Sequence, residues 1–330
     1  MSYNIAVVGA TGIVGCEFLK LLDKSNLKIN NLLLFASEKS INKKIVFRKK
    51  NYFVKALNLE NLKNVDFAIF AAGSKISNEF LPKLENKKIH IIDLSSAFRQ
   101  KKHIPLVIPE INAHLLKNPK NRIISSPNCT TTIMLIALFD LHKKFKIKRI
   151  VASTYQAASG GGKKLIDKLF NDTKNTIKNP NAKNLYGFNL FLHESEINAQ
   201  KYSEEEMKMI FETHKILNDD SIKITATCVR VPTIRAHSLS LNVEFEKKFL
   251  IDEIYKILKA NKNIKIFEDF ENNSFATPQI VTNQNEVFVS RIRQDLSNPK
   301  AIDMWVCSDQ ILKGASLNAF QILEILIKQR

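Results

Sequence analysis

The chain has 330 residues, enough for about two domains, and its 45% hydrophobic and 25% charged residues are ordinary for a globular protein with a sizeable core. No apolar run approaches the ~18 residues that would span a bilayer, and "MSYNIAVVGATG" lacks the basic leader and cleavage site of a signal peptide. The net charge of +18 raises the possibility of a nucleic-acid partner, but the lysines are spread over "INKKIVFRKKN", "ENKKIH", "LHKKFKIKR" and "EFEKKF" without interleaved aromatics, so a solvated basic surface is expected instead.

In chain order, "NIAVVGATGIVGCEFLKLL" reads as strand, glycine turn and helix. Gly9, Gly12 and Gly15 form a G-x-x-G-x-x-G pattern, which permits a tight turn and close approach of a pyrophosphate to a helix N-terminus. "NLLLFAS" is a second strand. An NAD site usually carries an acidic residue at its end, for the ribose 2′-hydroxyl. Here Ala36 and Ser37 hold that position, with Lys39 and Ser40 close by, and hydroxyls with a cation suit the 2′-phosphate of NADP. Glu38 can point to solvent. "VDFAIFAAGS" is a third strand, followed by helical "KISNEFLPKLEN"; "KIHIIDLSS" is a fourth and "RIISSPN" a fifth. Strands alternating with helices imply a parallel sheet, with ligands at the carboxyl ends of its strands.

"SSPNCTTTIM" then opens a helix. Pro127 biases Asn128 away from the α region, Asn128 is a good N-cap, and "IMLIALFDL" continues as a buried helix. Cys129 therefore falls in the first helical turn, where the dipole and free backbone N–H groups stabilise a thiolate. Cys16, Cys129, Cys228 and Cys307 are far apart and form no C-x-x-C pair, so neither a zinc site nor a disulfide framework is expected, and a reducing cytoplasm is.

Beyond about residue 145 the pattern changes. "IKRIVASTYQAASGGGKK" is a strand running into a glycine-rich turn, and "KKLIDKLFNDTKNTI" is helical. The stretch from Lys178 to Lys201 has no clear period and reads as a long loop. "SEEEMKMIFETHKIL" is a helix opened by a Ser203–Glu206 capping box. "IKITATCVRVPT", "AHSLSLNVEFE", "NEVFVSRIRQDL" and "AIDMWVCSD" are long strands of a mixed or antiparallel sheet, and "DQILKGASLNAFQILEILIK" ends in a final helix.

Together, "GATGIVG", "FASEKS", "DLSSAFR", "PEIN", "SPNCTTT", "YQAASGGG", "EEEMKM", "CVRVPT", "AHS", "SRIRQD" and "MWVCSD" resemble the aspartate-β-semialdehyde dehydrogenase family, in its order and over almost the full chain. The resemblance implies an α/β fold laid out like glyceraldehyde-3-phosphate dehydrogenase. Residues 1–128 would form an NADP-binding Rossmann domain, 129–309 a catalytic and dimerisation domain, and 310–330 a helix returning to the first domain. It implies a phosphorylating, NADP-dependent aldehyde dehydrogenase. The enzyme would reduce 4-phospho-L-aspartate to L-aspartate 4-semialdehyde with release of phosphate, on the route to lysine, threonine and methionine, as a cytoplasmic homodimer or a tetramer of paired dimers, with no metal.

By the same resemblance Cys129 is the nucleophile, His237 in "RAHS" the acid/base, and Gln156 orients the substrate. None of the other histidines, of seven in all, lies in a comparable motif. Asn128 helps bind phosphate or the oxyanion, Arg99 and Lys208 are phosphate ligands, Arg230 grips the α-carboxylate and Glu205 the α-amino group. Gly9, Thr11, Gly12, Ile13, Val14, Ser37, Lys39, Ser40, Ser159, Gly160 and Gln310 contact the cofactor. By spacing alone, Glu205 and Lys208 are an exposed helical ion pair. Lys39 stands where many members have arginine, "NCTTT" replaces "NCST", and "SGGGKK" adds a charge after the turn. The rival within the same chemistry is N-acetyl-γ-glutamyl-phosphate reductase, which lacks the pairing of Arg230 with "EEMK". A basic RNA-binding fold without turnover is the rival of another class.

Overall fold

In the computed structural model, which describes residues 1–85, 88–117 and 122–329, the alternating first third of the chain becomes a five-stranded parallel sheet. Its spatial order is Ile29–Phe35, Tyr3–Val8, Phe67–Phe70, His90–Asp93, Ile123–Ser125. The register aligns Phe35, Val8, Phe70, Asp93 and Ser125 in one row, so every turn after a strand opens at the same edge. Successive side chains alternate between faces. Ile5 and Val7 join one core, with Phe18 and Phe320, while Ala6 and Val8 join the other, with Phe35 and Phe70. The terminal helix Leu317–Lys328 packs on the first of these faces beside the helix Ile13–Lys24, where Phe18 and Phe320 meet edge to face at 6.2 Å. Two expected end residues, Asn86 of the second helix and Arg330, lie outside the described residues.

The lysine-rich tract after the second strand is a β-hairpin, Lys44–Phe47 with Lys50–Phe53. Its two turn residues, Arg48 and Lys49, both have positive φ (46° and 63°). This is the backbone of a two-residue primed turn, normally announced by Asn-Gly, and the sequence carries no such signal.

The second sheet is mixed, in the order Ile264–Ile266, Val287–Gln294, Ala301–Ser308, His237–Phe245, Ile147–Gln156, Lys223–Arg230, Phe191–Leu192. Ile147–Gln156 runs parallel to Lys223–Arg230 and antiparallel to His237–Phe245. The helix Cys129–Phe145 is buried on nearly all sides from Thr130 to Leu138, as an apolar helix must be, and it packs on this sheet with the helices Glu204–Leu217 and Ile251–Ala260 at its flanks. The helix Ile251–Ala260 and the edge strand Phe191–Leu192 have no counterpart in the sequence reading.

The chain divides into two compact units: Met1–Pro127 with Ala315–Arg330, and Asn128–Gly314. Gln310–Gly314, which the sequence reading groups with the terminal helix, belong to the second unit.

Candidate active site

In the first unit the strand Tyr3–Val8 ends in a turn that only glycine fits. Gly9 has φ +90°, and a side chain there would strike the carbonyl of Ala71; a side chain at Gly15 would strike that of Gly9. The helix Ile13–Lys24 starts at Gly12 with no side-chain cap, so the first-turn N–H groups of Ile13 and Val14 have no capping oxygen and suit an anion. The Thr11 hydroxyl donates to Ser40 Oγ at 3.2 Å, tying this turn to the one after the second strand. Ser37 and Lys39 are exposed at that strand end, and so is Glu38. These features fit a dinucleotide whose pyrophosphate lies on the helix start. Arg99, also in this unit, is buried; its Nε donates to the Ser126 carbonyl at 2.9 Å and its Nη2 to the Leu94 carbonyl at 3.0 Å.

The second unit gathers the remaining residues at one end of its sheet. The parallel register sets Arg230 beside Gln156, and His237 opens the next strand at the same end. Glu205, in the first turn of the helix Glu204–Leu217, is the hub. Its Oε1 accepts from Asn128 Nδ2 (2.9 Å) and Gln156 Nε2 (3.3 Å), and its Oε2 from Lys208 Nζ (3.3 Å). Burial alone would raise the Glu205 pKa, but Lys208, the adjacent His193 and the two amide donors outweigh it and hold the carboxyl at about 2. The helical ion pair therefore exists, but not as an exposed one: Glu205 is 7% exposed, and Lys208 also reaches Glu204 at 3.1 Å. The pKa of Lys208 is raised, because Glu205 and Glu204 overcome the effect of its burial.

Asn128 caps the Cys129–Phe145 helix as expected, with Oδ1 accepting from the Thr130 and Thr131 N–H groups at 2.9 and 3.2 Å and from the Thr130 hydroxyl. This corrects one expectation. The Thr130 and Thr131 N–H groups, first-turn donors assigned to a thiolate, are consumed by the cap, which leaves the helix dipole as the stabilising effect on the sulfur. The backbone N–H of Asn128 donates to Glu212 Oε2 at 2.6 Å. Glu212 is fully buried one heptad beyond Glu205, on the same helix face. Cys129 is half-buried. Gly314 lies against it: a side chain at 314 would begin 2.7 Å from Cys129 Cβ and 3.0 Å from its Cα, so no other residue leaves the cysteine where it is.

His237 is 1% exposed, and its Nδ1 accepts from the Ala157 N–H at 3.0 Å, which leaves the hydrogen on Nε2. Burial, followed by the Arg230 charge, pushes its pKa down to about 3. The preceding Ala236 has φ +73°, uncommon for a non-glycine residue, and its N–H donates to Gln310 Oε1 at 2.8 Å. Gln310 Nε2 in turn donates to Ser159 Oγ at 2.6 Å. Two residues expected to contact the cofactor thus also brace the histidine. Gly160 faces His237 and Arg230 so closely that a side chain there would begin 3.0 Å from Arg230 Nη1 and 3.1 Å from the imidazole.

Arg230 is buried, with Nη1 on the Ala157 carbonyl (3.2 Å) and Nη2 on His193 Nε2 (2.8 Å). His193 is the second histidine of this cluster, although it lies in no motif comparable to that of His237. It lies in the stretch that reads as loop, next to the edge strand Phe191–Leu192, which pairs with Val229–Arg230. That pairing had no sequence signal. Glu212 had one, since an acid at i+7 from Glu205 repeats on the buried helix face.

The first unit matches the family description "Semialdehyde dehydrogenase, NAD binding domain" over residues 4–119, and the second matches "Semialdehyde dehydrogenase, dimerisation domain" over 138–313. An aspartate-semialdehyde dehydrogenase of Prochlorococcus marinus is 43% identical over 329 residues, covering 98% of this chain and 96% of that protein. The chain belongs to the aspartate-semialdehyde dehydrogenase family. A second such dehydrogenase, from Aquifex aeolicus, is 42% identical, covering 100% of this chain and 99% of its own. Aspartate semialdehyde dehydrogenase II of Vibrio cholerae, solved in complex with ASA, superposes with a TM-score of 0.93 at 33% identity, covering 99% of each chain. These relatives favour an aspartate-semialdehyde dehydrogenase over N-acetyl-γ-glutamyl-phosphate reductase. Among the described residues no helix is long and apolar enough to cross a membrane, and no cluster of His, Cys, Asp and Glu could hold a metal ion.

Proposed function

We propose that this aspartate-semialdehyde dehydrogenase converts 4-phospho-L-aspartate to L-aspartate 4-semialdehyde with release of phosphate, with Cys129 as nucleophile. The Cys129 sulfur attacks the acyl carbon, the carbon–sulfur bond forms, the bond to the phosphate oxygen breaks and inorganic phosphate leaves. NADPH, when bound, supplies the hydride that reduces the resulting thioester. His237 Nε2–H donates a hydrogen bond to the acyl oxygen as it gains charge; burial keeps this ring neutral, a donor fixed in direction that stabilises the oxyanion without giving up its proton. Expulsion of the Cys129 thiolate then frees the aldehyde.

Gln156 and Asn128 orient the acyl group. Arg230 takes the α-carboxylate, and Glu205, held ionised, takes the α-amino group. Lys208 and Arg99 take the phosphate. Gly9, Thr11, Gly12, Ile13 and Val14 hold the cofactor pyrophosphate; Ser37, Lys39 and Ser40 hold the 2′-phosphate, which favours NADP over NAD; Ser159, Gly160 and Gln310 lie on the nicotinamide side. The observation that carries this reading is the hub at Glu205, which draws Asn128, Gln156 and Lys208 onto one buried carboxylate. The protein acts in the cytoplasm as a homodimer, consistent with its dimerisation-domain match and its four free cysteines among the described residues.

The test is NADPH formation, followed by absorbance, from L-aspartate 4-semialdehyde, phosphate and NADP. No phosphate-dependent reduction of NADP would overturn it. Ser37→Asp is expected to narrow or reverse the preference for NADP, and equal use of both cofactors by the unmodified enzyme would overturn that part of the reading.

A further inference from the structure

Arg230 is the buried cation of the second unit to which the proposed function gives the α-carboxylate, and an arginine side chain only donates hydrogen bonds. Its Nη2 spends one donor on His193 Nε2 at 2.8 Å. Nε2 must therefore present a lone pair. Ser195 lies on the Nδ1 side of the ring, with its Oγ at 3.2 Å and its backbone nitrogen at 3.3 Å from Nδ1. The same Oγ accepts the backbone N–H of Glu205 at 3.1 Å, a first-turn donor that the helix itself leaves without a partner. The result is an unbroken chain of hydrogen bonds from Arg230 through His193 and Ser195 to Glu205. Its two ends are the groups assigned to the two charged substituents of one α-carbon.

We infer that His193 is a positioning residue, which with Ser195 sets the aim and spacing of Arg230 relative to Glu205 and so selects a free α-amino acid. The inference rests on reading Arg230 as the α-carboxylate ligand. It explains why the short edge strand exists: pairing Phe191 with Arg230 and Leu192 with Val229 fixes the backbone immediately before His193, and the His193 N–H adds a bond to the Cys228 carbonyl at 2.8 Å. It also carries a pH dependence. A proton on Nε2 would set N–H against N–H and one cation against another. Glu205 and the neighbouring Glu194 favour that proton, whereas burial, Arg230 and Lys208 oppose it and leave the His193 pKa below its ordinary value; His237, the other titratable ring nearby, is already neutral. At neutral pH the acceptor is available, and acid removes it.

The experiment is steady-state kinetics of the full-length protein in the semialdehyde-oxidising direction, with each substrate varied in turn. His193→Ala is expected to raise KM for the semialdehyde about tenfold, the scale of one charge-assisted hydrogen bond, while kcat and KM for phosphate stay within about twofold. His193→Gln supplies an amide oxygen that accepts but does not titrate. It is expected to restore KM to within about threefold and to abolish the rise in KM on the acid side. Ser195→Ala, a milder change, is expected to raise the same KM about threefold. Arg230→Ala, run alongside, separates the two readings: an unchanged KM for the semialdehyde overturns the α-carboxylate assignment and the inference with it. A raised KM in Arg230→Ala with a normal one in His193→Ala overturns the inference alone. So does a His193→Ala variant that raises both KM values equally, or a His193→Gln variant no better than His193→Ala at an unchanged Tm.

Discussion

The four thiols of this chain differ in what surrounds them, and that difference predicts which one reacts. Burial pushes Cys228 and Cys307 up to about 12, and Cys16 is raised by its own partial burial. Cys129 sits at a helix start, half-buried. Iodoacetamide at neutral pH is therefore expected to label Cys129 first, as read by peptide mapping, and Cys129→Ala to lose roughly a thousandfold or more in turnover while still binding NADP. Substantial turnover by that variant would remove the cysteine from the chemistry. His237 makes a separate prediction about stability. Its pKa falls from 6.5 in the unfolded chain to about 3 in the fold, so between those values the unfolded chain binds the extra proton and stability drops with falling pH. At pH 5 the drop is roughly 2 kcal/mol, at about 1.4 kcal/mol per unit. His237→Asn, which does not titrate, is expected to flatten the acid limb of the urea midpoint between about pH 6.5 and 4. An unchanged limb would mean that the imidazole is not held neutral by the fold.

The helix Cys129–Phe145 begins correctly because Asn128 satisfies three groups at once through one side-chain oxygen and is itself gripped by two acids of the neighbouring helix. Asn128→Ala is expected to cost about 1–2 kcal/mol, the scale of a lost N-cap, and to slow alkylation of Cys129. Asn128→Asp keeps the capping oxygen but sets a carboxylate against Glu205, so it is expected to lose activity at a smaller cost in Tm. If both variants behave alike in Tm and turnover, the amide nitrogen has no role beyond the cap. The Ser203–Glu206 capping box was readable in advance and formed in full, with Ser203 N on Glu206 Oε2 at 2.7 Å and Glu206 N on Ser203 Oγ at 3.3 Å. Caps are legible because donor and acceptor lie within one turn of each other. The hairpin Lys44–Phe47 with Lys50–Phe53 was not, because Arg48 and Lys49 adopt positive φ without being the residues that prefer it.

At the scale of the whole molecule, the first unit is completed by the last helix. Phe320, Ile322, Leu323 and Leu326 lie in its core, and at roughly 1.5–3 kcal/mol each their burial is comparable with the entire stability of a domain. A chain ending before Leu317 is expected to lose near-UV circular dichroism and resistance to proteolysis in residues 1–127; an unaltered urea midpoint would contradict this. The sequence by itself determined what depends on neighbours along the chain: the strand–turn–helix at Gly9, the start of the Cys129 helix, the Ser203 cap, the order of strands and helices, and, through motifs in sequence order, the family. Only the tertiary structure decided which groups meet. Asn128 reaches Glu205 across 77 positions and Arg230 reaches His193 across 37, and each contact depends on strand register and helix packing. The same packing buried Glu205 and half-buried Lys208, which their spacing alone made an exposed pair, and its depth, with the donors it brings, sets the charge of Glu205 and His237. Local propensity carries no information about such contacts, because the energy that selects them comes from desolvation and hydrogen bonding between segments that meet only in the fold.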